Sequence, residues 1–114
     1  MDDQELLEAA YAAFNARDID AALALMTPDV DWPNAIEGTR VHGHDAVREY
    51  WTAQWQEIDP RVEPVAFRDE DGRVVVEVHQ SVRDLEGNVM VEQTVEHVYT
   101  IRDGLVERMD VREP

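Results

Sequence analysis

The sequence predicts an α+β domain, because two hydrophobic patterns divide the chain. Apolar residues recur at helical spacing as far as Ile58, and from Val62 onward they alternate with polar residues as in a β-strand. Turn signals at Asp71-Gly72, Glu86-Gly87-Asn88 and Asp103-Gly104 divide this second part into four strands joined by hairpins. Helices grouped before strands are typical of a domain whose helices pack on one face of a curled antiparallel sheet.

Two short helices are expected at the start of the chain. The first spans Glu5 to Asn15, where apolar side chains recur at helical spacing. Asp18 is suited to cap the second, which cannot continue past Pro28 because proline lacks the N–H that an interior helical position donates. Their apolar faces consist of Leu7, Ala10, Tyr11, Phe14, Ile19, Ala22, Leu23 and Met26.

A short strand and a third helix are expected next. Residues 30–32 predict a strand that stops at Pro33, and the segment from Asn34 to His42 is expected to be irregular. The third helix is predicted between Gly43 and Pro60. Its broad apolar stripe consists of Val47, Tyr50, Trp51, Trp55 and Ile58.

Strand alternation in the second part predicts which side chains point toward the helices. One row is Val91, Gln93, Val95, His97, Tyr99 and Ile101, and a similar row is Val74, Val76, Val78, Gln80 and Val82. The last strand has a less regular inward row of Leu105, Glu107, Met109 and Val111. The predicted inward face of the sheet is therefore mainly apolar, with one histidine, two glutamines and Glu107 as its polar exceptions.

The composition limits the classes of partner. The ten basic residues are all Arg, and against 26 Asp plus Glu they give a formal net charge of −16. A surface that negative repels phosphate backbones and anionic lipids, so we expect neither a nucleic acid nor a membrane partner, and self-repulsion should weaken the fold at low salt. No apolar run approaches the roughly 20 residues of a membrane span, the acidic start lacks the basic region of a signal peptide, and cysteine is absent. We expect one cytoplasmic domain over residues 1–114.

Three stretches of the chain carry a family resemblance. They are Arg17-Asp18-Ile19-Asp20-Ala21-Ala22-Leu23 continuing to Asp29-Val30-Asp31-Trp32, then Val41-His42-Gly43-His44-Asp45-Ala46-Val47-Arg48-Glu49-Tyr50-Trp51, and Arg102-Asp103-Gly104-Leu105-Val106. Together, in this order and over nearly the whole chain, they resemble the nuclear transport factor 2-like superfamily, in particular its SnoaL-like and ketosteroid isomerase-like branch.

The resemblance implies a cone with the element order α-α-β-α-β-β-β-β. In such a cone a curved antiparallel sheet wraps around the long third helix and encloses a deep apolar pocket, and homodimers often pair through the outer sheet face. The fold does not determine the chemistry, because it serves isomerases, cyclases, hydratases, dehydratases and non-catalytic domains.

His97 is the main candidate for acid–base chemistry. Alternation places it on the same face as Val95 and Tyr99, and an imidazole titrates near neutral pH, with a pKa that burial lowers further. By the resemblance it stands where ketosteroid isomerases have a carboxylic acid that polarises the substrate oxygen. The segment Trp32-Pro33-Asn34 lacks the carboxylate of those enzymes, so steroid isomerisation of their kind is not expected. A histidine that only completes a hydrogen-bond network in the core also fits the pattern.

Asp31 is the candidate general base, because a carboxylate beside Trp32 can have a raised pKa. A solvated charge at the end of a strand is the alternative.

Gln80 and Gln93 are suited to orient a substrate carbonyl, although such amides also bind backbone or water. Large rings suit a flat or polycyclic ligand, and equally suit a core. The predicted ligand-binding residues are Tyr11, Phe14, Trp32, Asn34, Trp51, Trp55, Gln80, Gln93, Tyr99 and Met109.

Neither a metal nor another cofactor is expected. His42 with His44, and Glu77 with His79, do not supply three converging ligands, and the latter pair is a better candidate for a dimer surface. The chain has no Gly-rich phosphate loop and no Ser-His-Asp order. We expect it to bind a small apolar, cyclic metabolite and to catalyse acid–base chemistry of the isomerase, cyclase or dehydratase type. A non-catalytic ligand-binding domain and a dimeric accessory domain are the alternatives.

Overall fold

Three helices and a six-stranded sheet form the part of the chain that the structure describes. A computed structural model describes residues 2–35 and 37–114. The helices are α1 (Asp3–Asn15), α2 (Ile19–Leu23) and α3 (His44–Glu57). The strands are β1 (Met26–Asn34), β2 (Thr39–His42), β3 (Ile58–Glu70), β4 (Arg73–Asp84), β5 (Val89–Arg102) and β6 (Leu105–Arg112).

Side-chain caps begin the first two helices. Asp2 accepts a hydrogen bond from the Glu5 N–H at 2.7 Å, and Asp18 accepts one from the Ala21 N–H at 3.1 Å. Each carboxylate satisfies an N–H that has no partner within its helix. The predicted cap at Asp18 is therefore confirmed.

The sheet is curved and unclosed, with the strand order β2-β1-β6-β5-β4-β3. Tight turns join β3 to β4 and β5 to β6 where the sequence predicts them. Asp71 and Gly72 have φ values of 51° and 80°, and Asp103 and Gly104 have values of 52° and 77°. Two successive positive φ angles are typical of the hairpin turn that Asp-Gly favours. The long meander β3 to β6 thus follows from local turn chemistry.

The first two strands correct the sequence-based boundaries. β1 begins at Met26, which was assigned to the second helix, and continues through Pro33 to Asn34. Residues 39–42 form β2 and pair with β1, although this segment was expected to be irregular. β1 also pairs in parallel with β6, so the sheet is not wholly antiparallel. Both additions depend on contacts between distant segments, which a local pattern does not reveal.

The core lies between the helices and the inner face of the sheet. The predicted inward rows on β4 and β5 are confirmed, since Val76, Val78 and Tyr99 are all at most 2% exposed. On β6 the inward row differs from the predicted one. A register shift between Thr100 and Ile101 brings Val106 into the core, where Leu105 was expected. The remaining core residues include Leu7, Val30, Val47 and Trp51.

Ion pairs cover the outer face of the sheet. Glu96 accepts hydrogen bonds from Arg68 and Arg112 at 2.9 Å each, and both bonds hold the pKa of Glu96 below its usual range. Val75 and Val98, the directly paired valines of this face, are only 1% and 3% exposed in the single chain. They are therefore already buried and do not offer an apolar surface to a partner.

No helix in residues 2–35 and 37–114 is long and apolar enough to cross a membrane.

Candidate functional site

A cavity of about 210 Å³ lies between α1, α3 and the inner face of the sheet. Its walls are mostly aromatic and aliphatic side chains, with a few polar groups among them. None of the described residues that line it carries a formal charge apart from a titratable imidazole, His97. The site is therefore a mainly apolar chamber with one imidazole among the described residues that line it.

His97 forms the end of a hydrogen-bonded chain with two tyrosines. The Tyr99 hydroxyl donates to the Tyr11 hydroxyl at 2.8 Å, and Tyr11 lies 2.8 Å from His97 Nδ1. The rings of Tyr11 and His97 are stacked, with their centroids 5.8 Å apart. α1 supplies Tyr11, whereas β5 supplies both His97 and Tyr99, so helix and sheet must pack together to form this chain.

Burial sets the protonation of this chain. It lowers the pKa of His97 to about 4 and raises the pKa of Tyr11 and Tyr99 above the usual value for a phenol. At neutral pH the imidazole is thus uncharged and both hydroxyls keep their protons. Since Tyr99 donates to Tyr11, Tyr11 is free to donate to Nδ1. The neutral ring then carries its proton on Nε2, which is the nitrogen left for a ligand.

Most of the predicted site residues line this one cavity. His97 lines it, as do eight of the ten predicted ligand-binding residues: Tyr11, Phe14, Trp32, Trp51, Gln80, Gln93, Tyr99 and Met109. Their roles in binding or catalysis stay predictions, but the structure brings them together. They come from two helices and four strands, so no local pattern in the sequence could establish their proximity.

Trp55 and Asn34 lie outside the cavity lining. The Trp55 ring packs against Phe14 and Trp51, and the Arg17 guanidinium stands 4.9 Å from its centroid. Asn34 accepts a hydrogen bond from the Glu37 N–H at 3.1 Å in the turn after β1. Both side chains therefore have structural contacts outside this lining, and their role in ligand binding stays a prediction.

Asp31 also lies outside the cavity lining, on the strand face opposite Trp32. Burial alone would raise its pKa, but a hydrogen bond from Arg40 and the charges of Arg40 and Arg108 hold the pKa below its usual range. Arg108 Nη1 lies 2.9 Å from its second oxygen. A carboxylate held by two guanidinium groups is a weak proton acceptor. Its role as a general base stays a prediction, and these contacts do not favour it.

Sequence reasoning missed two polar residues of the cavity, Tyr50 and Gln54. The Tyr50 hydroxyl accepts hydrogen bonds from the Ala35 N–H at 3.1 Å and from the Gln54 amide at 3.4 Å. Their spacing of four residues on α3, on the same face as Trp51, was the available signal. The other lining residues that were not predicted are apolar: Ala10, Met26, Pro33, Ala35, Val62, Val95 and Val111.

Among residues 2–35 and 37–114, no group of three or more His, Cys, Asp or Glu side chains is placed to hold a metal ion. The polar atoms of the cavity are hydroxyls, amides and one imidazole.

An α+β cone that encloses an apolar cavity defines the nuclear transport factor 2-like class of proteins. Within that class, the SnoaL-like domain family matches residues 7–109 of the chain. The chain therefore belongs to the SnoaL-like domain family. Curated protein sequences gave no match.

Solved structures share this fold over most of their length. TerC, co-crystallised with polyporic acid, is 31% identical with a TM-score of 0.83, and the alignment covers 96% of this chain and 89% of TerC. A Sinorhizobium meliloti protein, described provisionally as a polyketide cyclase, is 22% identical with a TM-score of 0.81, covering 95% and 94% of the two chains. An M. tuberculosis LEH-like epoxide hydrolase is 17% identical with a TM-score of 0.78, covering 94% and 78%.

Proposed function

We propose that this protein binds a small cyclic metabolite in the cavity and catalyses an acid–base rearrangement of it, with His97 as the catalytic residue. An isomerase moves a proton between two carbons of the ligand, and a dehydratase takes a proton from one carbon and returns it to the departing hydroxyl, which leaves as water. A cyclase takes a proton from the carbon that then bonds to a carbonyl carbon of the same ligand, whose oxygen receives the proton. All three need a group that takes and returns a proton. The single observation that carries the proposal is the chain Tyr99, Tyr11, His97, which ends in a free ring nitrogen on an otherwise apolar cavity.

The chain can serve both directions of proton transfer. Each hydroxyl both donates and accepts, so a proton can stand on either nitrogen of His97 while the hydrogen bonds stay intact. With the proton on Nε2, the ring donates to a carbonyl or hydroxyl oxygen of the ligand. With the proton on Nδ1, Nε2 accepts a proton from an acidic C–H and can return it to another carbon or to a departing hydroxyl. Tyr11 and Tyr99 are positioning residues in this scheme.

A specific observation supports a second candidate, which is ligand binding without turnover. The pKa of His97 is about 4, well below the value near the working pH that suits a general acid or base. A neutral imidazole N–H is nevertheless a good hydrogen-bond donor to a ligand oxygen. Of the described residues lining the cavity, none is a carboxylate that could act as the base in its place.

The test compares the wild type with His97→Gln, which keeps a hydrogen-bonding side chain but cannot titrate. Thermal shifts are measured against polyporic acid, steroids, polyketide-like aromatics, terpenoids and small acids at fixed salt, and each stabilising compound is then assayed for turnover. A ligand at 100 times its dissociation constant adds about 2.7 kcal/mol to the stability, which such a scan detects. His79→Gln is the matched control, since it makes the same substitution on the outer face of the sheet, outside the cavity lining.

We expect a compound that wild type binds and converts, and that His97→Gln binds but does not convert. If His97 acts as the base, the rate should rise with pH through about 4 and stay level toward neutrality. Turnover that persists in His97→Gln would contradict the catalytic role of His97. Binding without turnover in wild type would favour the second candidate.

The homodimer, the cytoplasmic location and the extent of the domain over residues 1–114 remain part of the proposal. The outer sheet face that the family resemblance implies as the dimer surface carries ion pairs such as Glu96 with Arg112. Sedimentation at physiological salt distinguishes a dimer from a monomer.

A further inference from the structure

Two glutamines face each other at the mouth of the cavity. Gln80 on β4 and Gln93 on β5 are direct partners in the antiparallel register, and both line the cavity. Side chains at directly opposite positions have their Cβ atoms about 5 Å apart, so one ligand group can reach both amides.

The described residues around this amide pair do not form hydrogen bonds with it. Its flanking partners on the same face are the valine pairs Val78 with Val95 and Val82 with Val91. In the part of the chain that the structure describes, no protein group accepts from or donates to either amide. Each amide has two donor hydrogens and one acceptor oxygen. Polar side chains in an apolar row form hydrogen bonds with water or with a ligand. A ligand that displaces the water takes over these hydrogen bonds.

The amide pair is separated from His97 by an apolar stretch. Gln93 and His97 are four residues apart on β5, which corresponds to about 13 Å between their Cα atoms. Val95 lies between them on the same face, and Val62 and Trp51 also line the cavity. A ligand that touches both ends therefore needs an apolar body with a polar group at each end.

The charge of the molecule selects among such ligands. None of the side chains described around the cavity is a fixed cation, and the chain has a formal net charge of −16. An amide pair can satisfy a hydroxyl or a carbonyl but cannot neutralise a carboxylate, which the negative charge of the molecule repels.

We propose that Gln80 and Gln93 form a second recognition point that selects ring compounds carrying an uncharged polar group at the end opposite the one bound by His97. This inference rests on the proposed function, because it assumes a ligand in the same cavity. It adds the specificity-determining residues and the substrate class, which is an elongated, uncharged, two-ended cyclic compound.

The experiment uses three matched probes with two rings: 4-phenylphenol, 4,4′-biphenol and 4′-hydroxybiphenyl-4-carboxylate. Dissociation constants are measured at pH 7.5 through the fluorescence of the tryptophans in the cavity wall. The variant is the double substitution Gln80→Met and Gln93→Met, which keeps the length of the side chains and removes the amide groups that can form hydrogen bonds with a ligand. Gln56→Met is the matched control, since it removes an exposed amide of α3 that does not line the cavity.

Wild type should bind 4,4′-biphenol about tenfold more tightly than 4-phenylphenol, because the distal hydroxyl gains hydrogen bonds with the amide pair. The carboxylate should bind most weakly. The double variant should bind the two phenols within about twofold of each other, with 4-phenylphenol no weaker than before, and Gln56→Met should keep the preference. If the double variant fails to fold, Gln93→Met alone should reduce the preference, because Gln93 is exposed at the mouth.

The failures of the two proposals are distinguishable. Equal binding of both phenols by wild type, or a preference that survives in the folded Gln variants, overturns the recognition point and leaves the role of His97 standing. Tightest binding of the carboxylate overturns the uncharged class. Absence of binding of any probe to wild type overturns this inference, while the wider ligand scan with His97→Gln still decides the proposed function.

Discussion

His97 is only 7% exposed in the folded chain, and this burial makes the stability of the fold depend on pH. Its ordinary pKa of 6.5 falls to about 4 in the folded chain because burial disfavours the charged imidazole. Between these two values the unfolded chain binds a proton at this residue and the folded chain does not. The unfolded state is therefore favoured as the pH falls.

We expect the free energy of unfolding of the wild type to decrease by about 3 kcal/mol between pH 6.5 and 4 through His97 alone. Urea unfolding followed by tryptophan fluorescence at several pH values measures this decrease. The variant His97→Gln lacks the titrating group, so its curve should be flatter between pH 6.5 and 4.5.

Glu70 contributes little to this change above pH 4.5. The hydrogen bond from Arg112 is the main cause that lowers the pKa of Glu70 to about 2, so its stabilising contribution is lost only below its ordinary value of 4.5. Parallel curves for wild type and His97→Gln above pH 4.5 would show that the folded chain protonates His97 as readily as the unfolded one does.

At the scale of elements, the end of α1 is attached to the edge strand β3 by one side chain. The Asn15 amide donates to the Val62 carbonyl at 2.7 Å, and its oxygen accepts from the Val62 N–H at 3.0 Å. β3 is the last strand of the sheet, so its outer backbone groups have no strand to pair with. Asn15 supplies the missing partner and holds the helix that carries Tyr11 against the sheet.

We expect Asn15→Ala to reduce the free energy of unfolding by about 1–3 kcal/mol, because it leaves two backbone groups of a half-buried strand without a partner. Urea unfolding gives the value. Asn15→Asp should lie between Ala and wild type, since a carboxylate still accepts from the Val62 N–H but no longer donates to the carbonyl.

The exposed substitution Glu8→Ala, on the same helix, is the control and should change the stability by less than about 0.5 kcal/mol. An Asn15→Ala variant as stable as this control would mean that water replaces the amide without loss.

The whole molecule has a strong negative charge, and its fold must withstand the resulting repulsion. The formal net charge of −16 is spread over a chain of 114 residues. Salt screens repulsion between exposed charges over about 10 Å at 0.1 M. The stability of the fold should therefore rise with ionic strength, even though screening also weakens surface ion pairs such as Arg68 with Glu96.

We expect the midpoint of thermal unfolding to increase steadily from low to molar sodium chloride. Differential scanning calorimetry measures it. A variant in which Glu8, Glu49 and Glu57 are replaced by Gln removes three exposed charges and should show a smaller increase. A midpoint that does not change with salt would mean that the ion pairs already compensate the repulsion.

The sequence by itself determined the fold class and much of the sheet. Asp-Gly turns and strand alternation depend on neighbouring residues, so Asp71-Gly72 and the inward positions of Val76 and Tyr99 could be predicted. The helix cap at Asp18 is local in the same sense. Strand β2 was missed because its four residues show no alternating pattern. They form a strand only through their pairing with β1.

The candidate site was decided by the tertiary structure. Alternation could place His97 on the inner face, but the hydrogen bond to Tyr11 joins residues 86 positions apart and exists only when α1 packs on β5. The same packing buries His97 and so lowers its pKa. No local pattern in the sequence indicates that burial. Asp31 shows the converse, because Arg40 and Arg108 hold it on the outer face, away from the cavity it was expected to serve. Periodicity is a property of neighbours along the chain, whereas a site is a property of neighbours in space.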